Sequence, residues 1–198
     1  MRIALACKRL AHKPHYVSLP KMQHREAAYR DLNPQGLVPM LIEDERPLIQ
    51  SLGIIEYLDE VYPEPGLIPK DPLERAYVQA FSQIIGCDIH PLNNVRLLKR
   101  LQSQFGAGED ATNEWYRHWI AEGLGGLEDC VLQQGRSGQF ALGNAVTMAD
   151  ICLVPQMFNA KRFGCELDPY SKLNGIFENC MKLPALADTQ PKTQPDAF

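Results

Sequence analysis

The sequence predicts an α/β domain followed by an all-helical domain. Short helical and strand-like runs alternate up to about residue 62, prolines cluster over residues 63–71, and helical periodicity alone follows. Because proline-rich stretches are typical of linkers, we expect the domain boundary within that cluster. The predicted domains are therefore 1–65 and 72–198.

Composition limits the kinds of partner to be expected. The 198 residues include 45% hydrophobic residues and carry a formal net charge of −4, which allows a buried core and gives no general reason to bind nucleic acid or an anionic membrane. No run reaches the roughly 18 apolar residues of a membrane span, and the first residues lack the pattern of a secretory signal. We expect a cytoplasmic protein.

The six cysteines are spread along the chain without a C-x-x-C pair. A chain of this size does not depend on disulfides, so we expect the cysteines to be reduced. The five histidines are not at ligand spacing with them, and we expect no metal site.

The first ten residues, MRIALACKRL, already show the pattern of an amphipathic helix. Ile3, Leu5 and Leu10 share one face, and Lys8 belongs to the polar residues on the other. The next run, HKPHYVSL, favours a short strand because Tyr, Val and Leu follow a helix-stopping proline.

A helix, a hairpin and another helix are predicted next. HREAAYRDLN has the pattern of a short helix, and LVPMLIED with RPLIQ indicates a hairpin around the acidic turn EDER. SLGIIEYLDEVYP then returns to helical spacing. The predicted order from Met1 is helix, strand, helix, strand, strand and helix, which is a βαβ–α–ββα layout without its first strand.

The second domain is predicted to be helical over residues 72–104, 110–134, 147–163 and 172–182. Pro91 lies inside the first of these ranges and is expected to kink it or to free a carbonyl.

Two further motifs of the second domain are interpreted as structural. Thr147 and Asp150 have the spacing of a capping box. Trp115 and Trp119 share a helix face and are expected in the core rather than in a stacking platform. The run GLGGLED is expected to interrupt the helix that contains them.

Five ordered blocks of the sequence resemble the zeta class of glutathione transferases, which includes the maleylacetoacetate and maleylpyruvate isomerases. They are NPQGLVPML, IQSLGIIEYLDE, DIHPLNNVRLL, VTMADICLVPQMFNAKRF and the QPDA tail. The resemblance covers essentially the whole chain and implies a glutathione-transferase fold. In that fold a thioredoxin-like N-terminal domain binds glutathione, an all-α C-terminal domain completes the substrate pocket, and the protein is a homodimer.

The resemblance implies glutathione-binding residues in the first domain. Residue types alone indicate an ordinary trans proline at Val38-Pro39 and an N-cap at Ser51. A helix N-terminus also suits a carboxylate, and the resemblance places the γ-glutamyl carboxylate there, beside Gln50. It further implies that Pro39 is cis, that the Val38 backbone pairs with the cysteinyl part, and that His24 holds the glycyl end.

In the second domain the resemblance implies that Asn94 and Arg96 face glutathione and the substrate. Residue types alone also allow a kinked helix with a surface arginine there, and a dipole-satisfying cation at Arg162. An arginine suits a dicarboxylate substrate because its planar fork binds carboxylates bidentately, so Arg162 is a candidate second clamp. His90 is a candidate for the same ligand or for a partner of the kinked backbone.

The implied activity is the glutathione-dependent cis–trans isomerisation of maleylacetoacetate to fumarylacetoacetate in tyrosine and phenylalanine catabolism. The thiolate adds to the conjugated cis double bond, the resulting single bond rotates, and elimination gives the fumaryl isomer. Maleylpyruvate isomerisation and conjugation of α-halo acids use the same pocket and remain open as alternatives.

The resemblance assigns no catalytic residue within this sequence. The family's catalytic serine lies in a turn before the run that begins this sequence, while Cys7 lies within the first helix and Ser18 in the predicted strand. We expect a chain that begins inside the fold through a mis-assigned start, and that is consequently destabilised and catalytically impaired. A glutathione-binding or dimerising module without turnover is the alternative from a different class.

Overall fold

The computed structural model describes residues 1–194 and divides into two compact units. The first comprises Met1–Leu67 and the C-terminal segment from Asp188, and the second comprises Ile68–Ala187. The first unit is α/β and the second is helical, as in a glutathione-transferase fold. Residues 195–197 of the QPDA block lie outside the described part of the chain.

The described part of the first unit contains three α-helices and one hairpin. In chain order these elements are α1 (Arg2–Cys7), α2 (Ala27–Leu32), β1 (Met40–Glu43), β2 (Arg46–Ile49) and α3 (Ser51–Val61). A 3-10 turn at Gln23–Arg25 precedes α2.

The predicted hairpin is confirmed. Strands β1 and β2 pair antiparallel, with Met40 opposite Ile49 and Glu43 opposite Arg46. The two residues between them have positive φ angles, as a two-residue turn requires if it is to follow the twist of its strands.

The strand predicted in HKPHYVSL is wrong, because residues 10–18 have no regular secondary structure. Tyr16 is 45% exposed. Aromatic and β-branched residues favour extended backbone, but a strand also needs a neighbour to share its hydrogen bonds. Within residues 1–194 the sheet contains only β1 and β2, so this segment has no strand to pair with.

Lys8 does not belong to the polar face that the helical pattern predicts for it. Its side chain is fully buried, and Nζ donates to Asp59 Oδ1 at 2.8 Å and to the carbonyls of Tyr62 at 2.6 Å and Pro65 at 2.9 Å. The end of α3 and the chain after it thus surround the ammonium with acceptors.

The second unit contains six α-helices within the described residues: α4 (Pro72–Gln83), α5 (Val95–Phe105), α6 (Glu109–Gln134), α7 (Met148–Arg162), α8 (Ser171–Met181) and α9 (Pro184–Ala187). Its core is made of leucine, isoleucine and methionine side chains from α6, α7 and α8. No helix among residues 1–194 is both long and apolar enough to cross a membrane.

The prediction of one helix over residues 72–104 is wrong. After α4 the chain forms a π-helical segment at Ile84–Ile89 and then a 3-10 turn at His90–Asn93. Asn94 is extended, with ψ at 139°, and α5 begins after it. Pro91 contributes to this break, since it offers no backbone N–H to continue a helix.

The helix α6 passes through the GLGGLED run without the predicted interruption. One of the three glycines, Gly123, is required by packing, because a Cβ at this position would overlap the side chain of Ile89. The glycine therefore lets the π-helical segment approach α6 closely.

The capping box at the start of α7 is confirmed. Asp150 Oδ2 accepts hydrogen bonds from the Thr147 N–H at 2.8 Å and from the Thr147 hydroxyl at 2.9 Å. Asp150 Oδ1 also accepts from the Ala141 N–H at 2.8 Å. The carboxylate is fully buried and so joins the loop before α7 to the helix itself.

Candidate active site

The predicted glutathione-binding positions of the first unit surround the segment 33–39, here called the Leu37 loop. Tyr29 Oη and Asn33 Nδ2 both donate to the Leu37 carbonyl at 2.7 Å. Asn33 is itself buried, and its Oδ1 accepts from the Gln35 N–H at 3.2 Å. Hydrogen bonds from Tyr29 and Asn33 therefore fix the loop at the Leu37 carbonyl. Val38, the residue after Leu37, faces outward.

Val38 presents an unpaired backbone. The Val38–Pro39 peptide bond is cis, as the resemblance implies, and Val38 is 42% exposed. Within the described part of the chain, neither its N–H nor its carbonyl makes a hydrogen bond. Such an open pair can bind a ligand that runs alongside it like a strand.

Gln50 joins the start of α3 to the Leu37 loop. Its Nε2 donates to Gln35 Oε1 at 2.8 Å. Its φ of 69° and ψ of 118° are uncommon for a residue other than glycine.

The N-terminus of α3 has no side-chain cap. The N-cap is Gln50, so the prediction that Ser51 is the N-cap is wrong by one residue: the left-handed turn at Gln50 makes Ser51 the first helical residue. The first intrahelical bond is made by the Ile54 N–H to the Gln50 carbonyl. The earlier N–H groups of the helix point along its axis and have no acceptor among residues 1–194, which suits a carboxylate.

His24 lies on the other side of the Leu37 loop. A Cβ at Gly36 would come within 2.8 Å of the His24 carbonyl, so only glycine allows this approach. Arg25 Nη1 donates to the Gln35 carbonyl at 3.2 Å. The structure thus brings His24, Val38 and Gln50 to the same loop.

In the second unit, Asn94 has a structural role that the sequence analysis did not assign to it, although asparagine is a favoured N-cap residue. Its Oδ1 accepts from the Arg96 N–H at 3.1 Å and caps α5. Its Nδ2 donates no hydrogen bond to any described residue, so this donor is available to a ligand.

Arg96 stands in the first turn of α5 with an exposed side chain. Its guanidinium makes no ion pair, hydrogen bond or ring contact with residues 1–194. A carboxylate could therefore bind it bidentately without displacing a partner.

Arg162 ends α7 beside an aromatic pair. Its guanidinium carbon is 5.9 Å from the centroid of the Phe163 ring, which stacks on Tyr116 at 3.7 Å. Burial raises the pKa of Tyr116 to about 12, and the charge of Arg162 opposes that rise. The arginine is exposed, as both a helix-terminal cation and a carboxylate clamp require.

His90 begins the His90–Asn93 turn. Desolvation lowers the pKa of its imidazole below the ordinary value, although the residue as a whole is exposed. No hydrogen bond joins it to another described side chain, so neither of its two predicted roles is decided by a contact.

Sequence reasoning missed the residues that support these positions. Gln35, which holds Gln50, and Trp115, whose Nε1 donates to the Leu92 carbonyl at 2.8 Å, act across 15 and 23 residues of sequence. The Asn33-Pro34 pair is a local sequence signal for the Leu37 loop, because the residue before a proline avoids helical backbone and ends α2.

The cysteines are free thiols, with Cys87 exposed and Cys180 buried. Among residues 1–194, no three His, Cys, Asp or Glu side chains are arranged to hold a metal ion.

Sequence comparison identifies the relatives of this chain. The family described as glutathione S-transferase, N-terminal domain, matches residues 1–66. The probable maleylacetoacetate isomerase of Vibrio cholerae is 43% identical over 100% of this chain and 92% of its own length. The maleylpyruvate isomerase of a Ralstonia species is 41% identical, with 100% of this chain and 93% of the relative covered.

Solved structures give the same result. A holo maleylpyruvate isomerase, described as a bacterial glutathione transferase of the zeta class, is 41% identical with a TM-score of 0.97 over 100% of this chain and 93% of its own. A maleylacetoacetate isomerase of Methylobacterium extorquens with bound malonate and glutathione is 33% identical, with a TM-score of 0.96 over 100% and 92% of the two chains. The chain therefore belongs to the glutathione transferase family and, within it, to the zeta class of the maleylacetoacetate and maleylpyruvate isomerases.

Proposed function

We propose that the chain is a glutathione-dependent isomerase that converts maleylacetoacetate to fumarylacetoacetate. The observation that carries the proposal is the open Val38 backbone next to the uncapped start of α3. The pairing of Met40 with Ile49 puts Pro39 and Gln50 at the same end of the hairpin. Relatives named maleylacetoacetate isomerase, at 43% and 41% identity, support the substrate.

The residues at this end fit glutathione by their chemistry. The Val38 N–H and carbonyl match a peptide backbone, and the first N–H groups of α3 with the Ser51 hydroxyl match an α-carboxylate. Gln50 and His24 would hold the two ends of the tripeptide. Bound glutathione supplies the thiol nucleophile of the reaction.

The substrate carries carboxylates, for which the second unit offers arginines. Arg96 has no partner to displace among residues 1–194, and Arg162 stands exposed at the end of α7. Fixing the carboxylates orients the double bond, which is catalysis by positioning.

Maleylpyruvate is the second candidate substrate. It is supported by the maleylpyruvate isomerase that shares 41% identity with this chain over its whole length. The same arginines suit both acids, because both are maleyl dicarboxylates.

Turnover with purified chain tests the proposal. We expect loss of each maleyl acid to be faster with chain and glutathione than with glutathione alone. Ser51→Ala removes one hydrogen bond to a charged group and should raise the KM for glutathione about tenfold or more. Arg96→Ala should lower kcat/KM for the maleyl acid more than about tenfold.

Arg100→Ala is the matched control for Arg96, because Arg100 is exposed on the same helix. An Arg96→Ala variant that behaves like Arg100→Ala removes Arg96 from the mechanism. No acceleration by the wild-type chain would contradict the isomerase and favour a binding module without turnover.

We also propose that the protein is a cytoplasmic homodimer. Six free thiols suit a reducing compartment. Helix α5 has no buried residue, and its apolar Val95 and Phe105 are 53% and 75% exposed, which suits a covered face. Sedimentation should give twice the 22.3 kDa of the chain, and a monomer would contradict the dimer.

A further inference from the structure

The break before α5 leaves backbone groups that a continuous helix would pair. The chain passes from the π-helical Ile84–Ile89 into the His90–Asn93 turn and then into an extended Asn94. Where helical bonding stops, carbonyls need other donors. The Leu92 carbonyl finds one in the indole N–H of Trp115, at 2.8 Å on α6.

This bond is the polar anchor of the turn. Asn93 follows Leu92 and is 6% exposed. Neither of its side-chain amide atoms has a hydrogen-bond partner among residues 1–194. Trp115 is the one side chain in the described chain that hydrogen-bonds to the backbone of the turn from another element.

The anchored carbonyl is close in sequence to the candidate ligand residues. Asn94 lies two residues after Leu92, and its Oδ1 holds the Arg96 N–H at 3.1 Å. A shift of the Leu92 peptide is therefore passed through Asn94 to the first turn of α5. That turn carries Arg96.

Trp119 provides an internal comparison. It lies one turn further along α6, and its ring packs edge-to-face on Trp115 with centroids 5.5 Å apart. Both tryptophans are half-buried. The Trp119 Nε1, however, is buried without a hydrogen-bond partner in the part of the chain that the structure describes.

We propose that Trp115 is a positioning residue for the carboxylate subsite of the maleyl acid. Its indole N–H holds the Leu92 carbonyl and thereby sets the place of Asn94 and Arg96. The inference rests on the proposed function, since it gives Arg96 a carboxylate to bind.

Two matched variants test the inference. Trp115→Phe removes the N–H that holds Leu92, and Trp119→Phe removes an N–H that holds nothing in residues 1–194. We expect Trp115→Phe to raise the KM for the maleyl acid about fivefold, the equivalent of one neutral hydrogen bond, and to raise the KM for glutathione less, because Asn94 faces both ligands whereas Arg96 binds the maleyl acid. Trp119→Phe should leave both values within about twofold.

Nuclear magnetic resonance gives a readout that does not depend on turnover, and its first measurement uses the wild-type chain alone. Maleate, a stable cis dicarboxylate, should shift the indole N–H resonance of Trp115 in the wild-type chain, and Arg96→Ala should abolish that shift. Amide exchange of Arg96 should be faster in Trp115→Phe than in Trp119→Phe, because its acceptor Asn94 is no longer fixed.

The outcomes separate the inference from the proposed function. An active wild-type chain whose Trp115→Phe variant matches Trp119→Phe overturns the inference alone. An equal rise in the KM values for glutathione and for the maleyl acid also overturns the inference, because it indicates a general loss of packing. A Trp115 resonance that does not shift on addition of maleate overturns it as well. A wild-type chain that accelerates neither maleyl acid overturns the proposed function and the inference with it.

Discussion

Lys8 and Asp59 form a buried ion pair in the first unit, with 2.8 Å between Nζ and Oδ1. The same Asp59 oxygen accepts the Leu67 N–H at 2.7 Å. The pair therefore fixes α1, the end of α3 and the chain that follows α3 to one another.

We predict that Lys8→Met destabilises the first unit by about 3 kcal/mol, because removal of one partner leaves a largely buried carboxylate without its cation. Urea unfolding followed by circular dichroism measures the loss. Lys13→Met, at an exposed lysine, should change the unfolding free energy by less than about 0.5 kcal/mol. Equal effects of the two substitutions would contradict a structural role of the pair.

The capping box of α7 should affect stability and not chemistry. Thr147→Ala should lower the unfolding free energy by about 0.5–2 kcal/mol with unchanged KM values, since the hydroxyl binds only Asp150 and the start of the helix. Thr147→Ser keeps the hydroxyl and should retain most of the stability. A change in KM without a change in stability would refute this assignment.

Two glycines of the same run should respond to alanine with opposite sign. Gly123→Ala forces the added methyl against Ile89 and should cost about 1–3 kcal/mol. Gly126 is exposed in the same helix with nothing within 4 Å of a Cβ, so Gly126→Ala should stabilise by about 0.5–1 kcal/mol. Thermal unfolding of both variants measures these changes. A gain in stability for Gly123→Ala would show that α6 and Ile89 are less closely packed.

The thiols should differ in reactivity. Cys87 is exposed and should react rapidly with a disulfide reagent at pH 8, in a phase that Cys87→Ser removes. Burial raises the pKa of the half-buried Cys152 thiol to about 11, so this residue should react far more slowly than Cys87 at pH 8. A rapid phase that persists in Cys87→Ser would contradict the assignment.

The Cys152 thiol should make the unfolding free energy depend on pH. The folded chain keeps the Cys152 proton up to about pH 11, whereas the unfolded chain loses it from about its ordinary pKa of 9.0. The unfolded state therefore binds fewer protons between these values, and the unfolding free energy should fall as pH rises through them. Cys152→Ala should flatten this part of the curve in denaturant titrations at pH 9, 10 and 11.

Local chemistry explains what could be predicted from the sequence. The helix at the start, the hairpin around EDER and the capping box depend on residues within a few positions of each other, where periodicity and turn preference act. The order β1, β2 and α3 followed from these signals. The cis bond at Pro39 is different: only the resemblance implies it, since residue types alone indicate an ordinary trans proline.

Contacts between distant residues explain what could not. Lys8 is buried because acceptors 51 to 57 residues away surround it, and no pattern within α1 indicates them. Glu128 holds the N–H groups at the start of α8 from a position more than 40 residues earlier. The left-handed turn at Gln50, which moved the start of α3, occurs at a residue type that rarely adopts it.

The anchoring of the His90–Asn93 turn by Trp115 has an optical consequence. The chain has two tryptophans, and they lie 5.5 Å apart at this single corner of the helical unit. Tryptophan emission therefore reports on the helical unit, near the turn that precedes Arg96. It carries no signal from the α/β unit, which contains no tryptophan. A thermal melt followed by tryptophan fluorescence consequently measures unfolding of the helical unit, whereas one followed by circular dichroism measures loss of secondary structure in both units. Different midpoints in the two melts would reveal that the two units unfold separately.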